Sequence, residues 1–437
     1  MKSFVKVRLS GMMFLEFFIW GAWYTAIAVY MTAEGMGHLT HWPYTVVPLG
    51  AIFAPFFVGL IADRYFSTEK VLGTLHFLGG VFMFLTPMFV DNPVMFILML
   101  FLFNLCYMPT ISLANTCAFH HIEDQEKEFP LIRVFGTLGW IVSGLTVSFG
   151  LVYLVNNVEI ISNYLVSLGI IFENFSDERF IPEATALPLY LTSAASFAFA
   201  ALTFTLPHTP PPAKGQSVSI RSIIGLDALK ELGSKSFYSF LAASLLLCIP
   251  LAAYYNFTQI YLTDTDFQHI AATQTIGQVS EVLFMVLMPF FFIRLGVKWM
   301  LGVGMLAWFL RYALFALGAP EPTVWMILTG IALHGVCYDF FFVTGQIYID
   351  MKASDKIRGQ AQGLIVLVTY GVGMLIGAQI AGQVYNFFLG EQAGLTPDQW
   401  VSFWWVPAIF SVAVFLFFIL TFNDREVEKQ VLEEFDE

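Results

Sequence analysis

The stretch LSGMMFLEFFIWGAWYTAIAVYM, residues 9–31, decides the fold. A spanning helix takes about 20 mainly apolar residues, and this run supplies them. It is too long for the core of a signal peptide, so it reads as a retained first span. Yet it carries Glu16 among Phe and Trp. A charge in a bilayer core costs roughly 2.5–3.5 kcal/mol on insertion scales, and such residues face a bundle interior or a water-filled path. Arg133, Glu281, Arg311 and Asp339 repeat the pattern, each inside or at the edge of a long apolar stretch. Together they describe a membrane protein that moves something polar.

Composition agrees. Of 437 residues, 58% are hydrophobic, 17% aromatic and only 12% charged, against about 25% charged in a soluble domain. The net charge of −12 comes from acids in loops and in the C-terminal tail, so it carries no argument for nucleic acid, and no nucleic-acid partner is expected. Cys106, Cys117, Cys248 and Cys337 all fall in apolar runs, without CxxC or Cys/His spacing. Neither a disulfide framework nor a zinc site follows; small buried apolar residues are the simpler reading. The cluster His120-His121-x-Glu123 lacks a third convergent ligand. We expect no metal and no cofactor. The chain has no HExxH, no G-x-S-x-G and no phosphate-cradling Gly loop, which argues against an intramembrane hydrolase or an ATP-driven pump. No enzyme is expected.

Spanning segments fall near 9–31, 43–63, 71–90, 93–117, 130–156, 185–206, 237–262, 269–294, 297–318, 322–346, 360–388 and 399–421. A barrel would instead show alternating segments of roughly ten residues. Basic residues occupy alternate loops: Lys2, Lys6 and Arg8; Arg64 and Lys70; Lys127; Lys214, Arg221, Lys230 and Lys235; Arg294 and Lys298; Lys352, Lys356 and Arg358; Arg425 and Lys429. The opposite loops hold acids, with Arg179 their only basic residue. This is the positive-inside pattern for an even number of spans with both termini cytoplasmic. The sequence thus divides into a six-helix bundle over 1–210 with an external insertion at 157–184, a central cytoplasmic loop over 211–236, a second six-helix bundle over 237–421 and an acidic cytoplasmic tail over 422–437.

The loop between spans 2 and 3 reads Gly59-Leu60-Ile61-Ala62-Asp63-Arg64-Tyr65. It resembles the G-x-L-a-D-r signature of the major facilitator superfamily; Ile293-Arg294-Leu295-Gly296-Val297-Lys298 looks like a degraded second copy. A Gly there lets helices approach closely, and Asp63 with Arg64 suits a structural tether at a helix end. Within the superfamily the chain is similar to the bacterial nucleoside:proton symporters. The resemblance is carried by Phe14 to Trp23, Tyr107-Met108-Pro109-Thr110, Phe129 to Gly139, Gln278-Val279-Ser280-Glu281, Tyr338-Asp339-Phe340-Phe341 and Arg358 to Gly363. It covers nearly the whole chain apart from 157–184. It implies an all-α membrane protein with twelve transmembrane helices in two pseudo-symmetric bundles, in the bacterial inner membrane. It also implies proton-coupled uptake of nucleosides by alternating access, with the substrate site near mid-membrane between the halves.

Arg133, Thr137 and Trp140 are spaced i, i+4, i+7 and so share one helix face. A guanidinium can donate a fork of hydrogen bonds, and a flat indole can stack on a base. Anchoring at the membrane interface and plain packing are the competing roles; the resemblance implies contact with the nucleoside. Gln278 and Glu281, at i and i+3, point the same way and could hold ribose hydroxyls or a base edge, or form a structural ion pair. The resemblance places them on substrate. Asp339 lies mid-span among Tyr338, Phe340, Phe341 and Phe342. Burial makes ionisation costly there, which suits a proton carrier; Arg311 is the structural partner expected for it. Glu281, Asp339 and Glu16 are the proton-coupling candidates. Asn104, Asn115, Asn256 and Gln259 read as amides joining helices. Leu251 and Tyr254 stand where the family presents amides, and His334 where it has a Tyr. Tyr254, His334 and Tyr338 therefore join the expected substrate contacts. The alternatives are a proton symporter for a sugar or modified nucleoside, and a non-transporting receptor or enzyme. A monomer in lipid, handling a small-molecule nucleoside and protons, is the expected working form.

Overall fold

The computed structural model describes residues 2–57, 65–158, 162–163, 166–167, 169, 180–211, 224–354 and 357–423. The signature residues Asp63 and Arg64, most of the 157–184 insertion and nearly all of the acidic tail lie outside them. Every described element is helical. The chain divides into two compact units, residues 1–218 with 262–275, and residues 219–261 with 276–437.

The first unit contains six spans. Helix α1 (Lys2–Tyr24) continues after a short break as Ile27–Ala33. It is followed by α2 (Trp42–Phe57), α3 (Thr68–Leu85), α4 (Pro93–His121), α5 (Gln125–Leu145) and α6 (Leu187–Thr203). Local chemistry sets several starts. Asn92 accepts from the Met95 amide with Pro93 in the first turn of α4, and Asp124 accepts from the Lys127 amide at the start of α5. These are N-caps that satisfy otherwise orphaned donors. Helix α5 runs on through a π-helical turn, Thr146–Gly150, into Leu151–Asn157.

Helices α1 and α5 meet through glycine. A Cβ on Gly139 would run into the Phe14 carbonyl, and one on Gly136 would lie 2.7 Å from the Phe17 ring. Small residues let backbones approach closely in a membrane, where packing rather than water drives association. The chain leaving α6 is pinned back to the same unit. Arg8 donates to the Thr205 carbonyl. The two Glu69 oxygens take the His208 ring nitrogen at 2.9 Å and the Thr209 amide at 3.0 Å. His121 meets the Thr209 hydroxyl at 2.9 Å.

The second unit holds α7 (Lys235–Asp264), α8 (270–295), α9 (297–318), α10 (Val324–Lys352), α11 (Arg358–Leu389) and α12 (Pro397–Thr421). Helices α8 and α9 are joined at Gly296, whose φ of 63° breaks the helix in a conformation that favours glycine. Helix α12 begins with a Thr396–Gln399 capping box and Pro397 in its first turn. Helices α10 and α11 each contain a π-helical turn, Asp339–Val343 and Leu367–Gly373.

One segment departs from the sequence division. Residues 262–275 cluster with the first unit. Fully buried Glu183 accepts from the Ala271 amide at 3.0 Å and from the Ser148 hydroxyl at 2.6 Å. The Ser148 oxygen in turn accepts from the Ala272 amide at 2.9 Å. A carboxylate at a helix start suits both the orphan amides and the positive end of the dipole. Asn104, read as an interhelical tie, instead donates to the Leu100 carbonyl of its own helix at 2.8 Å, because a carbonyl one turn back is the nearest acceptor.

Gly139→Ala tests the glycine contact. The added methyl meets backbone, which cannot rotate away, and overpacking of this kind costs about 1–3 kcal/mol. The purified variant is expected to melt at lower temperature than the parent; an unchanged melting temperature would show that α1 and α5 can part at no cost.

Candidate functional site

The first unit buries Glu16 completely, half-way along α1. Each carboxylate oxygen has its own partner. Oε1 lies 2.7 Å from the Thr110 hydroxyl on α4, and Oε2 lies 3.1 Å from Nε2 of His76 on α3. The Tyr107 hydroxyl donates to the Glu16 main-chain carbonyl. His76 is itself buried and stacks on Phe199 of α6 with ring centroids 3.7 Å apart. Glu16 is thus held by groups from two other helices. Sequence reasoning missed His76, although it is the only titratable side chain in the apolar run 71–90.

Arg133, Thr137 and Trp140 lie on α5, all partly exposed on one face. The Arg133 guanidinium sits 4.1 Å above the Phe17 ring of α1. Trp140 packs edge-on against Trp20, centroids 5.6 Å apart, and against Tyr24 at 6.2 Å. The face therefore offers a cation and an indole, both steadied from α1.

The second unit gathers a different set. Asp339 opens the π-helical turn of α10, fully buried, with neither carboxylate oxygen hydrogen-bonded. Turns of this type often mark functional positions, because the extra residue re-aims side chains. Glu281 on α8 is close enough for the two acids to act on each other. The Glu281 carboxylate also lies 3.9 Å from Nε2 of buried His334, beyond hydrogen-bond reach. The His334 ring stacks on Tyr254 of α7 at 5.4 Å and 17°. Tyr338 is partly exposed and accepts from the Tyr370 hydroxyl at 2.7 Å. Gln278, one turn before Glu281, keeps its side-chain oxygen buried without a hydrogen bond.

Two expectations change here. Arg311 is not the partner of Asp339. Its Nε donates to the Gly330 carbonyl at 3.0 Å, and its guanidinium lies 4.0 Å over the Tyr254 ring and 4.9 Å from that of Trp308. Ring faces attract a desolvated cation by ~2 kcal/mol or more, so aromatic neighbours take the place of a carboxylate. Tyr254, expected among the substrate contacts, is only 3% exposed, with its ring occupied by Arg311 and His334. Leu251, on the same helix, is fully buried. Among the described residues no group of His, Cys, Asp and Glu is placed to hold a metal ion.

Apolar spanning helices in two bundles, with acids, a guanidinium and half-exposed aromatics inside them, define a multi-pass membrane transport protein of the major facilitator fold. The crystal structure of the nucleoside transporter NupG matches with a TM-score of 0.79 at 28% identity, over 96% of this chain and 99% of that one. The chain belongs to the nucleoside H+ symporter family, whose model matches residues 3–176 and 161–427. It is 36% identical over 428 residues to YegT of Escherichia coli K12, provisionally named a nucleoside transporter, covering 96% of this chain and 94% of that protein. It is 29% identical over 441 residues to the nucleoside permease NupG of Escherichia coli K12, covering 97% of each.

A buried carboxylate without a hydrogen bond is a stability liability. Asp339→Asn removes the charge and keeps the shape. We expect the purified variant to melt at or above the parent temperature while transport falls; a clear drop in melting temperature would show that the carboxylate has a stabilising partner.

Proposed function

We propose that the chain carries nucleosides across the bacterial inner membrane together with protons, by alternating access, as a monomer with both termini cytoplasmic. It leaves its solute chemically unchanged. The observation that carries this reading is Asp339, a carboxylate buried without a hydrogen bond beside a second acid, in a chain that falls in a symporter family along nearly its whole length.

The roles follow from side-chain chemistry. Arg133 donates to base carbonyls and Trp140 stacks on the planar base, with Thr137 adding a hydroxyl on the same face. Gln278 and Glu281 take ribose hydroxyls and Tyr338 lines the same set; His334, only 2% exposed and 3.9 Å from the Glu281 carboxylate, backs that acid rather than meeting the solute. Tyr254 acts one layer back, fixing the plane of His334. Protonation of Asp339 or Glu281 removes a charge that is costly without solvent and so favours the loaded form. Coupling requires that solute and proton each prefer the same state of the carrier. With His334, Leu251 and Tyr254 buried together, these positions offer fewer amides than the family pattern. This favours, as a second reading, a modified nucleoside or sugar as the solute.

Proteoliposomes decide between them. A nucleoside added to de-energised vesicles is expected to alkalinise the outside medium as solute and protons enter together; transport without any pH change would refute proton symport. In a binding screen of purified protein, nucleosides should outcompete free sugars. Trp140→Ala should weaken planar solutes by about tenfold or more, a stacking contribution of about 1–3 kcal/mol, and non-planar ones less. Equal losses would remove stacking from the site.

A further inference from the structure

The Thr110 hydroxyl is shared between two acceptors. It lies 2.7 Å from Oε1 of Glu16 and 2.6 Å from the Tyr107 main-chain oxygen. A hydroxyl has one proton to give and lone pairs to receive. With Glu16 ionised, that proton goes to Oε1. With Glu16 protonated on Oε1, the carboxyl donates to Thr110 and Thr110 donates to the Tyr107 oxygen. The second partner reverses in the same way. Nε2 of His76, 3.1 Å from Oε2, donates to the carboxylate in one tautomer and accepts from a protonated carboxyl in the other. Both charge states are thus satisfied with the heavy atoms where they stand. A purely structural buried acid needs only one.

We propose that Glu16, with Thr110 and His76 as its reversible partners, is a proton-binding site within the first unit, separate from Asp339 and Glu281. The ligand is a single proton, held on a Glu16 oxygen or on the His76 ring. The unprotonated assembly has one net negative charge and the protonated one none. The surrounding helices supply few other charges. Helix α3 contributes His76, α4 contributes Tyr107, α5 contributes Arg133 seated over Phe17, and α6 contributes Phe199 and carries no charged residue.

The position also links the proton to the solute. Trp20 lies one helical turn beyond Glu16. Its ring packs edge-on against Tyr107 at 6.0 Å and against Trp140 at 5.6 Å. Tyr107 in turn holds the Glu16 carbonyl. A change of charge at Glu16 therefore acts on the same rings that steady Trp140. Thr110 and His76 are positioning residues in this scheme; Glu16 binds the proton.

This inference rests on the reading of the chain as a proton-driven nucleoside carrier, and its test separates the two. Purified full-length protein is reconstituted into liposomes with radiolabelled uridine and adenosine as probes. Two rates are measured: exchange without a pH gradient, and accumulation driven by one. Glu16→Gln and His76→Gln are expected to lose gradient-driven accumulation about tenfold or more, within the usual range for coupled sites, and to lose far less of gradient-free exchange. Thr110→Val should follow them, and Thr110→Ser, which restores the hydroxyl, should recover accumulation. Full gradient-driven accumulation in Glu16→Gln overturns the proposal. So does equal loss of exchange and accumulation in all the variants, which would make the network purely structural. If the parent protein carries neither nucleoside, the transport reading fails by itself, and infrared difference spectra between acid and alkaline pH then decide the site. A carboxyl or imidazole protonation signal that vanishes in Glu16→Gln and His76→Gln alike supports it; its absence from the parent overturns it.

Discussion

Lipid offers no partner to an ionised side chain, so each charge inside this protein must be answered by the protein itself. The interior acids and cation meet that constraint in different ways. Glu16 receives a hydroxyl and an imidazole from neighbouring helices. Glu183 receives a hydroxyl and the amide at a helix start. Arg311 is answered by one carbonyl and the faces of two aromatic rings. Asp339 is buried with neither oxygen hydrogen-bonded. Glu16, Glu183 and Arg311 each tie helices together, although Glu183 Oε2 and both terminal Arg311 nitrogens make no hydrogen bond. Asp339, with both oxygens unpartnered, lies at a π-helical turn, a departure from the regular helix of the kind that often marks functional positions.

The aromatic content that marks the chain as a membrane protein also mounts its polar groups. In the second unit Tyr254, Trp308, Tyr312, Phe315, Tyr261 and Trp404 form a continuous block of stacked and edge-on rings around Arg311. Such pairs contribute about 0.5–1.5 kcal/mol each beyond their buried area. Rigid packing of this kind is what holds His334, stacked on Tyr254, in one plane. A site whose supporting shell is locked selects its ligand better than one on a mobile loop. In the first unit Trp20, Tyr24 and Tyr107 do the same for Trp140 and for the Glu16 carbonyl.

The fold was legible because length and hydropathy decide it. Runs of apolar residues with basic residues in alternate loops admit few other readings, and the break at Gly296 separates α8 from α9 close to where Arg294 and Lys298 interrupt the apolar pattern. The shared face of Arg133, Thr137 and Trp140 was legible for the same reason, since helical spacing fixes it. Partnerships were not. A sequence shows that Arg311 and Asp339 are both buried charges; it does not show which ring or carbonyl lies beside each. The pairing of Arg311 with Asp339 failed on that point. His76 was overlooked because a lone histidine in an apolar run has no periodic signature; only the fold brings it to Glu16 from sixty residues away. Glu183 and Ser148 escaped because one of the groups they serve is a backbone amide, and every residue but proline has one.

The placement of residues 262–275 with the first unit means that the polypeptide passes between the two units three times. The central loop is therefore not a clean seam. A fragment ending there would reach every helix of the first bundle and still lack the stretch that supplies the Ala271 and Ala272 amides. Glu183 would keep the Ser148 hydroxyl but lose the Ala271 amide, and a buried acid stripped of a partner is destabilised. Dissection of this carrier into two halves, by proteolysis or by split expression, is therefore expected to yield a stable first half only when residues 262–275 travel with it.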